Sequence, residues 1–549
     1  MAKLNLPVQK NQQITTTITD LTYEGMGVAK IEGYPLFVPT ALPGEKVILH
    51  VLKTNKNYGY AKVINYLTKS QARVAGSDNA YTQAGIAPLQ HLSYEQQLKF
   101  KRKIVVDLLK KAHLDQIEVS DTLGMDNPLH YRNKAQVPIR RVNNELATGF
   151  FRKGSHKFIA LKDFLIQDKR IDEILQTCCQ ILQAAKISAY DEQTHTGILR
   201  HLMVRRGYYS KEVLVVLVTK EAKLDNKTQL AKKIIQACPD VVGVLQNINS
   251  AKTNVILGEK TIILAGKDEI IDELNGLRFK ISAQSFYQVN PIQTEKLYNI
   301  AIKKANLTGK ETVIDAYCGI GTISLNLAKY AKKVYGVEII QQAIADAKKN
   351  AALNGLTNLE FEVGDAKEWM ATWQKAGLKP DVIVVDPPRK GLSEDFILSA
   401  SQMQPQKIVY ISCNPATLVR DLTIFQTQGY QVKGPIQPVD QFPQTPHVET
   451  VVKLVRKTPD AYIDLKVDMD ELDLTASEAK ATYQEIKQYI LDKYDTKVSN
   501  LYIAQVKEKY GIIERENYNK PKSENSKQLQ CPAEKVEMIE EAMRYFKMI

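Results

Sequence analysis

At 549 residues the chain is too long for one hydrophobic core, and three or four domains are expected. A hydrophobic content of 44% and a charged content of 25% describe a soluble globular protein. No apolar stretch reaches the length of a membrane span and the start "MAKLNLPVQKNQQ" lacks a signal-peptide core, so a cytoplasmic location away from membranes is expected. The net charge of +13 points to a polyanionic partner, nucleic acid first.

Residues 14–67 alternate apolar and polar positions between Gly and Pro turns, which predicts an OB-like β-barrel of about five strands as domain 1–70. Lys46, Lys53, Lys56 and Lys62 with Tyr58 and Tyr60 would give it a basic, aromatic face suited to RNA. Residues 71–275 mix helices and strands and are expected to form a central α+β RNA-binding domain. In "YRNKAQVPIRRVNNELATGFFRKGSHK", the cations Arg132, Lys134, Arg140, Arg141, Arg152 and Lys153 fall on a predicted hairpin around Asn143 and Asn144. Paired strands can show such charges on one face and neutralise a phosphate backbone, which makes Arg132 and Lys134 candidate RNA contacts. "LRHLMVRRG" and "VLVVLVTK" read as further strands of the same sheet.

Residues 276–456 alternate apolar strand-like runs with helical segments, the pattern of a Rossmann-like doubly wound α/β domain with ligands at the carboxyl ends of its strands. "VIDAYCGIGTISLNLAK" is strand, Gly-rich turn, helix; Gly319 and Gly321 allow a tight turn and close approach to a ligand. About twenty residues on, Glu338 in "VYGVEII" is placed to accept hydrogen bonds from a ribose diol. The pattern G-x-G-x-x-S lacks the third glycine of a dinucleotide loop, so a nucleoside without phosphates fits better, S-adenosyl-L-methionine first.

Asp386 opens "DPPRKGL" after the run "VIVV". Methyltransferases acting on exocyclic amines carry a similar Asp-Pro-Pro followed by an aromatic residue; Arg389 occupies that slot here. The next run ends at Cys413, so Asp386 and Cys413 are expected along one crevice, and "QFPQTPHVETVV" places Glu449 just before a last strand. A thiol, a carboxylate and a methyl donor suit one awkward reaction. Carbon 5 of uracil is a poor nucleophile until a thiolate adds at carbon 6, after which a base must remove the carbon-5 proton. Arg389, or the helix starting after Pro415, is expected to favour the thiolate. The six cysteines form no CxxC pair and suit a reducing compartment. The eight histidines include no HExxH, and no metal site is expected.

Residues 457–549 open acidic with "DLKVDMDELDL". "TASEAKATYQEIKQYILDKY" and "SNLYIAQVKEKYGI" then predict two helices of a small C-terminal helical module, for which added RNA contacts are expected.

With these residues in hand, the chain resembles the bacterial 23S rRNA (uracil-5-)-methyltransferases of the RumA type, and among them the dual-site form often called RlmCD. "FYQVNP", "DAYCGIGTISL", "VDPPRKGL", "ISCNP" and "HVETV" carry the resemblance, which covers roughly residues 13–456. It implies a TRAM domain at residues 13–70, a nucleophile at Cys413 and a proton acceptor at Glu449. Its S-adenosyl-L-methionine contacts fall on Gln288, Tyr317, Glu338 and Asp386, with Thr322 and Asp365 nearby, and Phe286 falls close to the target base. Many relatives hold an iron–sulfur cluster on a C-x5-C-x2-C run and a fourth cysteine. Asp78, Ala84, Ala87 and Phe164 stand at or near those positions here, so no cluster is predicted. The same departure is similar to the dual-site form and implies two target uridines, known as 747 and 1939 in the reference rRNA count. The expected assembly is a monomer acting on 23S rRNA. Rival readings are a tRNA T-loop uracil methyltransferase, for which the N-terminal barrel is less usual, and a non-catalytic rRNA-binding factor on the same fold. A DNA cytosine methyltransferase is more remote, because its cysteine follows a proline and Ser412 stands there instead.

Overall fold

The computed structural model describes residues 6–152, 154–457, 483–510, 531–546 and 548–549, in two units, Met1–Thr458 and Pro459–Ile549. The first unit begins with β1 (Gln13–Thr17), β2 (Asp20–Leu21), β3 (Gly27–Ile31), β4 (Tyr34–Val38), β5 (Lys46–Thr54) and β6 (Gly59–Thr68). They form one sheet in the order β1-β5-β6-β4-β3-β2, antiparallel except for β4 with β6. Period-two alternation buries Val47, Leu49 and Val51 in a small core. It leaves Lys46, Lys53, Lys56 and Lys62 exposed beside Phe37, Tyr58 and Tyr60, whose rings lie 5.6 to 5.9 Å apart.

Helix α1 (Asn79–Gln83) and helix α2 (Tyr94–Lys111) lead into β7 (Lys134–Val142), β8 (Glu145–Phe151) and β9 (Phe158–Ala160). Then come α3 (Lys169–Ala184), β10 (Leu199–Arg206), β11 (Val213–Thr219), α4 (Lys227–Ala237), β12 (Val241–Ile248) and β13 (Lys260–Gly266). The seven strands run β13-β12-β11-β10-β7-β8-β9, with α3 and α4 packed on one face. The hairpin β7–β8 turns at Asn143 and Asn144, both with positive φ, as a two-residue turn between right-twisted strands requires. Of its charges, Lys134 and Arg140 are half-buried on β7, and Arg141 beside them is exposed. Lys153 lies outside the described residues.

The hairpin β14 (Glu269–Leu274)–β15 (Leu277–Ser282) runs across position 275/276, where the composition changes, and packs into the core of the α/β layer. That layer comprises α5 (Pro291–Ala305), β16 (Thr312–Ala316), α6 (Thr322–Ala328), β17 (Lys333–Glu338), α7 (Gln341–Leu353), β18 (Leu359–Val363) and α8 (Ala366–Lys375). It continues with β19 (Val382–Val385), α9 (Glu394–Gln402), β20 (Lys407–Ser412), α10 (Pro415–Thr427), β21 (Tyr430–Val432), β22 (Gln437–Val439) and β23 (Glu449–Arg456). The sheet order is β18-β17-β16-β19-β20-β23-β21, with β22 also paired to β23. Strands β16 to β20 are parallel and β23 is antiparallel. Helices α5, α6 and α7 cover one face through Leu297, Ile323 and Ile344. The other is covered by α8, α9, α10 and also α2, through Met370, Phe396, Leu418 and Val105. Chain order reverses between β16 and β19, which opens a crevice at their carboxyl ends.

In the second unit, α11 (Tyr483–Tyr494), α12 (Asn500–Lys509) and α13 (Ala533–Tyr545) share a core of Ile486, Ile490, Ile503, Val506, Ile539 and Met543. The acidic stretch "DLKVDMDELDL" lies outside the described residues. Among the described residues no helix is long and apolar enough to cross a membrane.

Candidate active site

Register places the candidate residues in a row. Ala316 pairs with Val337 and with Val385, so Glu338, Tyr317 and Asp386 stand at one level on the neighbouring ends of β17, β16 and β19. The loop after β16 is conformationally costly. Tyr317, Gly319 and Gly321 all have positive φ, and a side chain such as Tyr317 holds this only when its surroundings enforce it. A Cβ added at Gly319 would meet no protein atom, so the loop is open at that point, whereas one at Gly321 would meet Leu325 Cδ1 at 2.8 Å. The Glu338 carboxylate is held by the backbone, accepting from Gly319 N at 3.3 Å and Ile340 N at 3.1 Å. Thr322 begins α6, its hydroxyl 3.0 Å from Tyr298 Oη, and Asp365 caps α8 beyond the end of β18. Tyr298, buried on α5, also feels Asp386 and Glu449; sequence reading missed it, because on the strand of letters it is one aromatic on an apolar helix stripe.

The candidate reacting groups lie at three strand ends. Ser412 pairs with Thr450 in the antiparallel ladder of β20 and β23, so Cys413 and Glu449 occupy the next rung. Glu449 is 4% exposed; Cys413 is half-buried and begins the turn into α10. Burial, reinforced by Asp386, pushes the Glu449 carboxyl up to about 8, with Arg389 opposing, and burial alone pushes Asp386 up to about 7. The Cys413 thiol is pushed up to about 12, by burial first and then by Glu449 and Asp386. Arg389 does pull it down, as expected from the sequence, but two carboxyls and desolvation outweigh one guanidinium. The resting cysteine is therefore a thiol, not the locally favoured thiolate that the sequence suggests.

A cleft of about 450 Å³ brings together Arg132, Lys134, Phe286, Gln288 and Arg389; Arg389, three residues after Asp386, lines it, whereas Cys413 and Glu449 do not. Phe286 is 69% exposed on the loop between β15 and α5. That loop is fixed from below by buried Arg205, which donates to the carbonyls of Ser282 at 2.9 Å and Ser285 at 2.8 Å. Lys134 is paired with Arg205 across β7 and β10, and burial together with Arg205 and Arg132 pushes its ammonium down to about 7. The positions Asp78, Ala84, Ala87 and Phe164 are built as ordinary packing: Asp78 caps α1, Ala87 is buried, and Phe164 lies edge-on to Phe150 at 5.6 Å.

The loop 440–448, which delivers Glu449, is held by side chains distant in the chain. Lys101 and Asp440 form an ion pair in which both side chains are fully buried, and Lys101 Nζ also donates to the Phe442 carbonyl at 3.0 Å. Gln97 Nε2 donates to Gln444 Oε1 at 2.9 Å, and Gln444 N donates back to Gln97 Oε1 at 3.0 Å. Asn290 and Gln441 exchange similar bonds, Asn290 Nδ2 donating to the Gln441 carbonyl at 3.0 Å. Sequence reading passed over this clamp. Its only trace is two polar residues, 97 and 101, on the stripe of α2 that continues through Val105 and Leu109.

A Rossmann-like methyltransferase layer, joined to a small RNA-binding barrel and carrying a thiol and a buried carboxyl at its ligand crevice, is the class of protein that fold and site define. The model of the tRNA (uracil-5-)-methyltransferase family matches residues 93–457, and that of the TRAM domain matches residues 7–64. The chain belongs to the tRNA (uracil-5-)-methyltransferase family. It is 55% identical over 455 residues, 83% of this chain and all of the relative, to a protein of Lactiplantibacillus plantarum carried as "uncharacterized RNA methyltransferase". It is 49% identical over 453 residues, 82% of this chain and 99% of the relative, to one of the same description from Enterococcus faecalis. Among solved structures it is similar to the Pyrococcus abyssi tRNA (uracil-54, C5)-methyltransferase in complex with S-adenosyl-L-homocysteine. That likeness has a TM-score of 0.65 at 28% identity and spans 80% of this chain and 99% of that one.

Proposed function

We propose that the chain methylates carbon 5 of uracil in 23S rRNA, at the two uridines named above, using S-adenosyl-L-methionine. The single observation that carries the chemistry is the rung formed by Cys413 and Glu449 beside the row of Glu338, Tyr317 and Asp386.

The residues present fit the cofactor: an open loop at Gly319 and a ribose-accepting carboxylate already oriented at Glu338. Glu338, Tyr317, Asp386 and Gln288 would hold it, with Thr322 and Asp365 flanking, and when bound it supplies an electrophilic methyl group. The chain's own residues do the rest. Phe286, exposed in the cleft, offers a face for an extruded base to stack on. Cys413 Sγ, once deprotonated, forms a bond to carbon 6 and makes carbon 5 electron-rich. After carbon 5 is alkylated, the Glu449 carboxylate accepts its proton, the 5,6 double bond re-forms and the thiolate leaves. A carboxyl raised to about 8 is a stronger base than an exposed glutamate, as that step requires. Arg132, Lys134 and Arg389 supply positive charge around the cleft for the nucleotide's phosphate.

The motifs "FYQVNP", "DAYCGIGTISL", "VDPPRKGL", "ISCNP" and "HVETV", with the four non-cysteine positions, support the rRNA assignment. The likeness to a tRNA (uracil-54, C5)-methyltransferase over 80% of the chain, more than the methyltransferase match alone spans, favours a second reading, tRNA T-loop methylation. Mapping methylated uridines in 23S rRNA and tRNA from cells lacking this protein separates them. Loss from 23S rRNA alone supports the proposal; loss from tRNA alone replaces it with the second reading.

A further inference from the structure

The even-numbered face of β7 does not end at the cleft lined by Phe286 and Arg389. Arg132 and Lys134 line that cleft, and the next residues on the same face, Gln136, Pro138 and Arg140, line a second and larger groove of about 1340 Å³. The groove lies on the central domain and contains none of the proposed catalytic residues. Its lining pairs cations with rings. Arg140 lies over the Phe151 ring at 5.1 Å, and Phe151 packs edge-on against Phe158 at 5.7 Å. Arg141 and Lys252 add exposed positive charge, and His201, opposite Pro138 in register, presents an imidazole whose Nδ1 has no partner. Against these stand Asp191 and Glu192, and Glu192 is already paired with Arg140.

We propose that this groove binds the single-stranded RNA continuing from the target uridine, so that one strand follows β7 from the Phe286 cleft to Arg140. The inference rests on the uracil-methylation reading. Charge and stacking surfaces together are what a single strand uses: cations neutralise its phosphates and rings accept its bases whatever their sequence. From Lys134 to Arg140 the strand rises about 20 Å, at about 3.4 Å per residue. That matches about six nucleotides at the 3.4 Å stacked rise of one strand, and fewer when stretched.

The test uses the full chain, S-adenosyl-L-methionine and a 13-nucleotide RNA with 5-fluorouridine at its centre; once carbon 5 is methylated its fluorine cannot leave as a proton does, so the Cys413 adduct persists. A 4-thiouridine is placed at each position from one to six nucleotides on either side, and ultraviolet crosslinks are mapped to peptides. Crosslinks from three to six nucleotides out on one side, falling in residues 136–158, 190–201 or 252–256, are expected. Crosslinks elsewhere, or none while the adduct forms, overturn the groove alone; absence of any adduct overturns the uracil reading as well. In a second measurement, Arg140→Glu with Lys252→Glu weakens binding of the 13-mer about tenfold, and weakens a 5-mer too short to reach the groove less than threefold. Equal losses for both RNAs overturn the proposal.

Discussion

Cys413 and Glu449 stand one rung beyond the Ser412–Thr450 pair, on strands that reach the same crevice from opposite directions. A thiol and a buried carboxyl are thereby set as neighbours at the crevice, near enough for Glu449 to act on the Cys413 thiol electrostatically. The sheet itself fixes that relationship, because β23 is the antiparallel strand beside the parallel set.

On the proposed mechanism, replacing Cys413 by Ala removes the bond to carbon 6 and leaves the RNA surfaces intact. Methyl transfer is expected to fall at least about a thousandfold while RNA affinity stays within about twofold, read by labelled-methyl incorporation and filter binding. Residual activity above a tenth of wild type would remove the thiol from the mechanism.

Stability and pH are linked through the same crevice. Asp315, Asp386 and Glu449 are raised, by burial above all, to about 7, 7 and 8, well above their unfolded values. In that range the folded state binds more protons than the unfolded one, so these groups stabilise fully below about pH 4 and lose that contribution as pH rises through 7 to 8. The melting temperature of the ligand-free protein is expected to fall between pH 5.5 and 8.5. Glu449→Gln and Asp386→Asn should each melt a few degrees higher than wild type at pH 8.5. No gain in either variant would show that these carboxyls are not held in an unfavourable charged state.

The Lys101–Asp440 pair is fully buried, so removing one partner leaves the other uncompensated. Lys101→Met is expected to cost about 3–5 kcal/mol in urea unfolding, and Lys101→Met with Asp440→Leu to recover part of it. Because loop 440–448 delivers Glu449, the double variant should lose kcat more than it raises KM for RNA. Equal changes would make the pair structural only.

Gly321 needs both its positive φ and its missing Cβ. Gly321→Ala is expected to weaken cofactor binding about tenfold in calorimetry through displacement of the loop and Leu325, while Gly355→Ala, which also has positive φ but no close neighbour, leaves that affinity unchanged.

Much of this was readable in the letters because the signals are local. "VIVV" before Asp386 is β19, the Asn-Asn turn is the β7–β8 hairpin, and the strand–glycine–helix run is β16 to α6. What escaped depends on partners far along the chain. Composition places α2 with the residues that follow it, yet it packs on the methyltransferase sheet, because only the fold brings Val105 against Leu418. Lys101 and Asp440 are 339 residues apart, so neither announces the other. The charges around β7 were visible, but only the fold decides that Arg132 and Lys134 border one cleft while Arg140 and Arg141 border another. The raised Cys413 thiol follows from burial first and then from Glu449 and Asp386, surroundings that only the folded crevice supplies.

The central claim is a transient bond between Cys413 and a uracil ring, resolved by Glu449. Glu449→Gln, incubated with S-adenosyl-L-methionine and uridine-containing RNA, is expected to accumulate a protein–RNA species that survives denaturing electrophoresis, with the methylated nucleotide attached to the Cys413 peptide in mass spectrometry. No adduct, or one attached to another residue, would contradict the account.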